Sequence, residues 1–550
     1  MNVLLVGINS KYIHPAASIY SLAANLKFPN NIMEFTIKDS VSHMSNEILS
    51  SEFDLIGISV YIWNIKIVEE LLESIYPILL PHQKIVLGGP EVSYDQVHFM
   101  NKLPIDYIIS GEGEESLNEF CEYMINQKTI DQVSNLTYRE NNNIIINQSA
   151  LPNIKDIKFG HDITENSTSR MVYFEASRGC PFRCSYCIAS LEKKVRHFDI
   201  EYVKSELLKL LQSGVPTIKF LDRTFNINPQ YMNDLIDFID EYNTHNTCIQ
   251  FEIVADILTD EVIERISRMK SKCLRFEIGI QSTNIATTSS VNRQQDFEKL
   301  KANIHKIQAT NLVDLHLDLI AGLPFENYDS FIQTFNQTFD LFPKELQLGF
   351  LKMLRGTSLR QDSEKYGYTF QDQAPYEIID NQFISKEELG YVRLVEECLE
   401  KYYNSGFMPL VNQYLWTSLV LNKAYFEFFL QLGLYLKEQH FNLNRYQLDE
   451  LFEIFYKFIY INYPDQSSEL LFYLKQDYLK YFKNRPKIWW KMDLKKPIKN
   501  TIIQKYYSLM PVDGLTTDDL YHYSHIECWN ELCFVIVYKP EKHQSFTFKL

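Results

Sequence analysis

Two separate stretches of the chain alternate short apolar runs with helix-like segments, and this alternation narrows the fold more than any other feature. In the first, VLLVG, DLIGISV, KIVLGG and DYIIS are separated by segments such as AASIYSLAANL and KIVEELLESIY. Each run is followed by Gly, Ser or Asn, where a strand hands over to a loop. The pattern predicts a doubly wound parallel sheet whose ligand lies beyond the carboxyl ends of its strands. The turn GINS after the first run is not a G-x-G-x-x-G fingerprint, so a dinucleotide is not indicated.

SNLTYRENNNIIINQ reads as a β-hairpin with an Asn-rich turn, and the polar stretch up to Arg170 as a linker. The second series then runs through MVYFEAS, TIKFLD, CIQFEIVAD, LRFEIGI, VDLHLDLIAG and LQLGFLKML. Between them lie helix patterns such as YVKSELLKLLQSG, closed by Gly214, and TDEVIERISRMK, opened by the capping Thr259. Six strand–helix units predict a partial (β/α)6 barrel with its site at the strands' carboxyl ends. From about Asp380, Leu-, Tyr- and Phe-rich segments such as YFEFFLQLGLYLKEQ predict a mainly helical region whose aromatics are core. The expected organisation is a first domain over 1–150, a linker over 151–170, a barrel over 171–378 and a helical region over 379–550.

A chain of 550 residues, 45% hydrophobic and 14% aromatic, has ample material for several cores and is not disordered. No apolar run reaches the roughly 18 residues of a spanning helix, and MNVLLVGINSKYIHP lacks the basic start of a signal peptide. A cytoplasmic protein is expected. The net charge of −16 disfavours an extended nucleic-acid surface. The late segment KYFKNRPKIWWKMDLKKPIK is locally basic and reads as a solvated surface with apolar anchors, with a polyanion site as the lesser alternative.

Six of the nine cysteines are scattered, which is not a secreted disulfide framework. The other three fall in EASRGCPFRCSYC, as C-x3-C-x2-C directly after the first strand of the second series, at the barrel mouth. CSYC is a good zinc pair, but no further Cys or His follows at finger-like spacing. A redox C-x-x-C leaves Cys180 unexplained. A [4Fe-4S] cluster takes one thiolate per iron, so three cysteines leave one iron open to bind and activate a ligand. The cluster fits best.

C-x3-C-x2-C with the aromatic Tyr186 before its last cysteine, at this place in a partial barrel, resembles the radical S-adenosylmethionine (SAM) superfamily. The resemblance implies that Cys180, Cys184 and Cys187 hold three irons and that the amino and carboxylate groups of SAM chelate the fourth. Reductive cleavage of SAM then yields a 5′-deoxyadenosyl radical that abstracts hydrogen from substrate. It also implies an external one-electron donor of the flavodoxin or ferredoxin type. Looser matches extend the resemblance. Asp222 in FLDRTFN falls near SAM's amino group; Glu277, Gln281 and Ser282 in FEIGIQS fall near its ribose or carboxylate; and Gly322 in DLIAGLP allows close approach of adenine.

GINSKYIHPAAS, GISVYIW, GGPEVS and SGEGEESL, in that order, resemble the cobalamin-binding domain of cobalamin-dependent radical SAM proteins. The resemblance implies a corrin on the strands' carboxyl ends, with Ser59 and the Gly88-Gly89 turn lining the slot for its nucleotide tail. It also implies that Gly111, Glu112 and Gly113 form a wall near the barrel. Domains with a protein ligand to cobalt carry D-x-H-x-x-G after the first strand; here His14 is in place, but Tyr12 and Ala17 replace the Asp and the Gly. Cobalamin is expected, without His14 on the cobalt. The whole layout resembles an uncharacterised subgroup of these proteins with a C-terminal domain of unknown function. It implies methyl transfer or radical rearrangement on an unknown small-molecule, lipid-like or peptide substrate. A non-catalytic iron–sulfur or cobalamin sensor is the alternative from another class. A radical SAM RNA-modifying enzyme is a further one, though the three additional cluster cysteines that tRNA methylthiotransferases carry are missing.

Overall fold

A computed structural model describes residues 1–161, 170–192, 194–420, 422–483, 489–490, 494–510, 516–538 and 544–550. Part of the expected linker (162–169) and the middle of the basic segment (484–488 and 491–493) lie outside the described residues. Contacts divide the chain into two compact units. The first comprises Met1–Thr334, Leu341–Lys344 and Leu348–Leu389, and the second Phe335–Asp340, Glu345–Gln347 and Gly390–Leu550.

The first unit opens with a seven-stranded sheet in the order β2-β1-β3-β4-β5-β6-β7. Its strands are β1 (Val3–Asn9), β2 (Asn30–Thr36), β3 (Leu55–Ser59), β4 (Lys84–Gly88), β5 (Tyr107–Ile109), β6 (Leu136–Glu140) and β7 (Asn143–Ile146). The strands β1 to β5 are parallel; β6 and β7 form the expected hairpin, added antiparallel at the β5 edge. Its turn residues Asn141 and Asn142 both take positive φ, 48° and 68°, which Asn tolerates better than most residues. Every residue of β1 and β3 is buried, as in a parallel sheet covered on both faces.

The second sheet runs β15-β14-β13-β12-β11-β8. It comprises β8 (Val172–Phe174), β11 (Thr217–Phe220), β12 (Cys248–Ile253), β13 (Leu274–Gln281), β14 (Val313–Ala321) and β15 (Glu345–Phe350). A separate two-stranded ladder is made by β9 (Ser177–Arg178) and β10 (Arg196–His197), and another by β16 (Thr369–Phe370) and β17 (Ile378–Asp380). The pairs from β8 to β14 are parallel, so the six strand–helix units form the expected open barrel. In β13, Leu274, Phe276, Ile278 and Ile280 are buried, while Arg275, Glu277, Gly279 and Gln281 alternate with them on the half-buried face. The helix Ile200–Ser213 ends on Gly214 at φ 71°, and Thr259 caps the helix Asp260–Ser267 by accepting from Val262 N, as the sequence suggests.

The second unit is mainly helical, with the aromatic cores expected of it; Phe426, Phe429, Phe452 and Phe458 are fully buried. It also holds a three-stranded antiparallel sheet, β18 (Ser524–Trp529), β19 (Leu532–Val537) and β20 (Gln544–Lys549), not anticipated from the sequence. Two of the six scattered cysteines, Cys528 and Cys533, face each other across β18 and β19 and form a disulfide. Among the described residues, no helix is long and apolar enough to cross a membrane.

Candidate functional site

The three close cysteines sit on a loop that closes upon itself. After β8 the chain makes β9, runs through residues 179–195 and returns as β10, so the two-residue ladder forms the base of the loop. Gly179 has φ +91°, and a Cβ there would lie 2.4 Å from the Lys194 carbonyl oxygen. Glycine is required at that point. Cys180 N donates to Glu192 O (3.2 Å), Ser185 N to Val291 O (2.9 Å) and Cys187 N to Cys184 O (3.1 Å). The loop is therefore tied at several points rather than draped over the mouth.

Cys180 and Cys184 are buried and Cys187 is partly exposed. Cys180 Sγ lies 3.6 Å from Thr224 Oγ1, and Arg293 Nη1 approaches Cys184 Sγ (3.9 Å) and Tyr186 Oη (3.4 Å). Burial pushes the Cys187 thiol up, and Cys184 and Cys180 add to the shift, against the lowering effect of the Ala189 N–H and Arg223. Such a loop is a poor place for three bare thiolates and a good one for thiolates bound to an electropositive group, with Arg293 as a fixed countercharge. The donor set fits an iron–sulfur cluster. Among the described residues, no three or more His, Cys, Asp or Glu side chains converge tightly enough for a single metal ion.

The other strand-end residues are engaged with the protein in definite ways. Asp222 is buried and lies under the cysteine loop, accepting from Ala176 N (2.9 Å) and Ser177 Oγ (2.6 Å); burial pushes its carboxyl up to about 7. Glu277 pairs with Lys219 (2.8 Å), accepts from Gln250 Nε2 and has His316 Nδ1 at 3.7 Å, all on the inner face of the sheet. Ser282 is buried and donates to Glu326 Oε1 (2.6 Å). Gln281 has φ +67° and a buried Oε1 without a hydrogen-bond partner. Gly322, at φ +91°, passes so close to Ile378 that a Cβ would meet its Cδ1 at 1.9 Å, and its carbonyl accepts from Tyr368 Oη and Asn381 Nδ2.

In the first domain, a cavity of about 1380 Å³ opens over the carboxyl ends of the strands. Ser59, Gly88, Gly89 and the 111–113 turn line it on one side, and Cys187, Arg178 and Arg223 on the other. Ser59 Oγ is buried and lacks a hydrogen-bond partner. Gly89, at φ +105°, is pressed so close to Val60 that a Cβ would lie 2.5 Å from its carbonyl oxygen. A large cleft floored by glycine turns and an unmet hydroxyl fits a bulky ligand with polar substituents such as a corrinoid. His14 is turned toward the barrel: its Nδ1 is 2.8 Å from Tyr173 Oη, and the two rings stack at 6.2 Å. Its loop is anchored by Glu34, which accepts from Ala16 N (2.7 Å), Asn9 Nδ2 (2.8 Å), Tyr20 Oη (2.6 Å) and Arg170 Nη1 (2.8 Å).

Arg293, Lys219, Tyr173 and the Glu34–Arg170 pair escaped the sequence reading. For Lys219 a signal existed, a lone cation alternating with apolar residues in TIKF. Arg293 lies 109 positions from Cys184 in the chain, and only the fold brings the two together.

Family profiles match three successive stretches: the B12 binding domain over residues 3–120, the radical SAM superfamily over 174–338, and a family described as protein of unknown function (DUF4080) over 364–532. The anaerobic magnesium-protoporphyrin IX monomethyl ester cyclase of Synechocystis sp. is 25% identical over 43% of this chain and 49% of its own length. An uncharacterized methyltransferase of Pyrococcus horikoshii is 30% identical over 28% of this chain and 36% of its own. This chain thus spans half or less of the length of these two relatives. Among solved structures, the cobalamin-dependent S-adenosylmethionine radical enzyme OxsB with aqua-cobalamin bound superposes with a TM-score of 0.62 at 16% identity, over 88% of this chain and 81% of that one, a likeness of fold.

Proposed function

We propose, for this radical SAM enzyme with its B12-binding and DUF4080 domains, that the reaction is cobalamin-dependent methyl transfer to an unactivated carbon of a substrate held in the open barrel. The observation that carries the reading is one cavity whose walls include both Cys187 of the cysteine loop and the Ser59 and Gly88-Gly89 cleft of the first domain. One ligand space serving both sites is what a methyl carrier working beside a radical source requires. A [4Fe-4S] cluster with SAM supplies reductive cleavage of the sulfonium, and cobalamin supplies a carrier for the methyl group.

Cys180, Cys184 and Cys187 would hold the cluster, with Arg293 against Cys184 offsetting negative charge as an electron arrives from a flavodoxin- or ferredoxin-type donor. Tyr186, half-buried beside Arg293, would keep water from one side of the loop. Asp222 positions the loop base through Ser177 and Ala176. Gln281, with its unmet carbonyl oxygen, would bound the SAM pocket, whereas the side-chain direction of Gly322 is filled by Ile378. Ser59, Gly88, Gly89 and the turn of Gly111, Glu112 and Gly113 would seat the corrinoid.

The test is anaerobic reconstitution of the full chain, with iron, sulfide and corrinoid analysis and reductant-dependent cleavage of SAM. Cys184→Ala is expected to lose both the cluster signal and SAM cleavage, whereas Cys248→Ala and Cys273→Ala keep both. A Cys184→Ala protein with a full reducible cluster that still cleaves SAM would overturn the ligand assignment. Absence of corrinoid after growth with cobalamin would overturn methyl transfer through cobalamin.

A further inference from the structure

We propose that Glu112 couples the cleft of the first domain to the cysteine loop by clamping the loop's base through Arg178 and Arg196. The inference rests on the reading above, in which the cleft takes a corrinoid and the loop an iron–sulfur cluster. Arg178 and Arg196 are direct cross-strand partners in the β9–β10 ladder. Like charges placed opposite each other on paired strands repel. Both guanidinium groups nevertheless reach the same carboxylate: Arg178 Nη1 donates to Glu112 Oε2 (2.8 Å), and Arg196 Nη2 to Glu112 Oε1. Glu112 thus stands between two cations that would otherwise push the ladder apart.

The clamp is built in depth. Arg178 Nη2 also meets Glu114 Oε1 and Glu175 Oε2, each at 2.8 Å, and Arg196 meets Glu192 (2.6 Å). Ser21 Oγ steadies Glu114 at 2.8 Å. The side chains of Arg178, Arg196, Glu112 and Glu114 are 8–13% exposed, so the network is little screened by solvent. Removing Glu112 would leave the two guanidinium groups facing each other with only Glu114, Glu175 and Glu192 as countercharges, and in a buried set such a loss costs more than breaking an exposed pair.

Each end of the clamp touches one site. Glu112 lies between Gly111, at φ +72°, and Gly113, which precedes the helix Glu114–Met124, and this turn is part of the cavity wall. At the other end, Cys180 follows Arg178 by two residues, and its N–H donates to the carbonyl of Glu192, whose side chain holds Arg196. A ligand seated against the turn therefore bears on the residue that sets the geometry of the first cysteine. Coupling between two sites is reciprocal, so the cluster's redox state must alter corrinoid affinity by the factor by which corrinoid alters the reduction equilibrium. A coupling of about tenfold would appear as about 59 mV in a one-electron potential.

The experiment uses the full chain, anaerobically reconstituted, with aquacobalamin as the probe. The cluster midpoint potential is titrated with and without aquacobalamin, and the aquacobalamin Kd is measured with the cluster oxidised and reduced. The wild type is expected to show a potential shift of about 59 mV and a matching change of about tenfold in Kd. Glu112→Gln keeps the shape and removes the charge; loaded with saturating aquacobalamin, it is expected to have lost most of that shift. Arg196→Gln, which leaves the Arg178–Glu112 pair, is expected to lose part of it and decides the question should Glu112→Gln fail to assemble a cluster. A wild type that binds both and shows no shift, or a variant holding both with the full shift, would overturn the clamp. Failure of the wild type to bind aquacobalamin or a cluster would instead overturn the functional reading beneath it.

Discussion

Glu326 shows how burial at one residue sets the pH response of the site's walls. It is fully buried, accepts from Ser282 Oγ (2.6 Å) and Thr334 Oγ1 (2.7 Å) at Oε1, and has no hydrogen-bond partner at Oε2. Burial pushes its carboxyl up to about 7, above the ordinary carboxylate range. A group with a raised folded pKa holds its proton longer in the folded state. Its contribution is fully present below the unfolded pKa near 4.5 and is lost as pH rises through about 7. The swing is on the order of 3 kcal/mol. Glu326→Gln, which keeps an acceptor for both hydroxyls and carries no charge, is expected to match the wild type at pH 4 and exceed it at pH 8.5 in the urea midpoint of the first unit's transition. Equal midpoints at pH 8.5 would refute the raised pKa. At this scale the sequence was legible where chemistry is local. The thiol triplet stands out within eight positions, whereas Asp222 and Glu277 could be named but their partners could not, because Ser177 and Lys219 reach them only across strands.

At the scale of elements, strands announced themselves wherever apolar runs were long enough to bury. The β9–β10 ladder did not, since two residues per strand carry no periodicity and depend on the loop between them. The sheet β18–β20 was hidden among helical neighbours, although LCFVIV is rich in strand-forming residues. The loop after β1 illustrates a different limit. Its sequence left His14 near the cleft, and only Tyr173, from the first barrel strand, explains why the imidazole points elsewhere. His14→Ala is therefore expected to retain corrinoid with an unchanged Co(II) spectrum. Ser59→Trp, filling the cleft from β3, is expected to weaken corrinoid binding a hundredfold or more while iron content stays normal. Nitrogen hyperfine splitting that disappears in His14→Ala would show that the histidine reaches cobalt after all.

For the whole molecule, the two compact units have separate hydrophobic cores, one built around Leu5, Phe120 and Leu136 and another around Ile503, Tyr506 and Val535. Separate cores favour more than one cooperative transition, so a single unfolding midpoint will not describe the chain. A ligand that binds only the folded form of the first unit raises that unit's transition by mass action. At a hundredfold excess over Kd, the gain is about 2.7 kcal/mol. For a unit of this size it corresponds to roughly 3 °C, using the usual unfolding entropy per residue. Scanning calorimetry of the cluster-loaded chain with increasing aquacobalamin is expected to show one transition climbing with concentration. Ser59→Trp should abolish the climb, because the cleft and not the surface provides the binding energy. A transition that stays fixed in the wild type at large excess would mean that the cavity over the first sheet does not hold a corrinoid, however well its glycine turns and unmet Ser59 hydroxyl suit one.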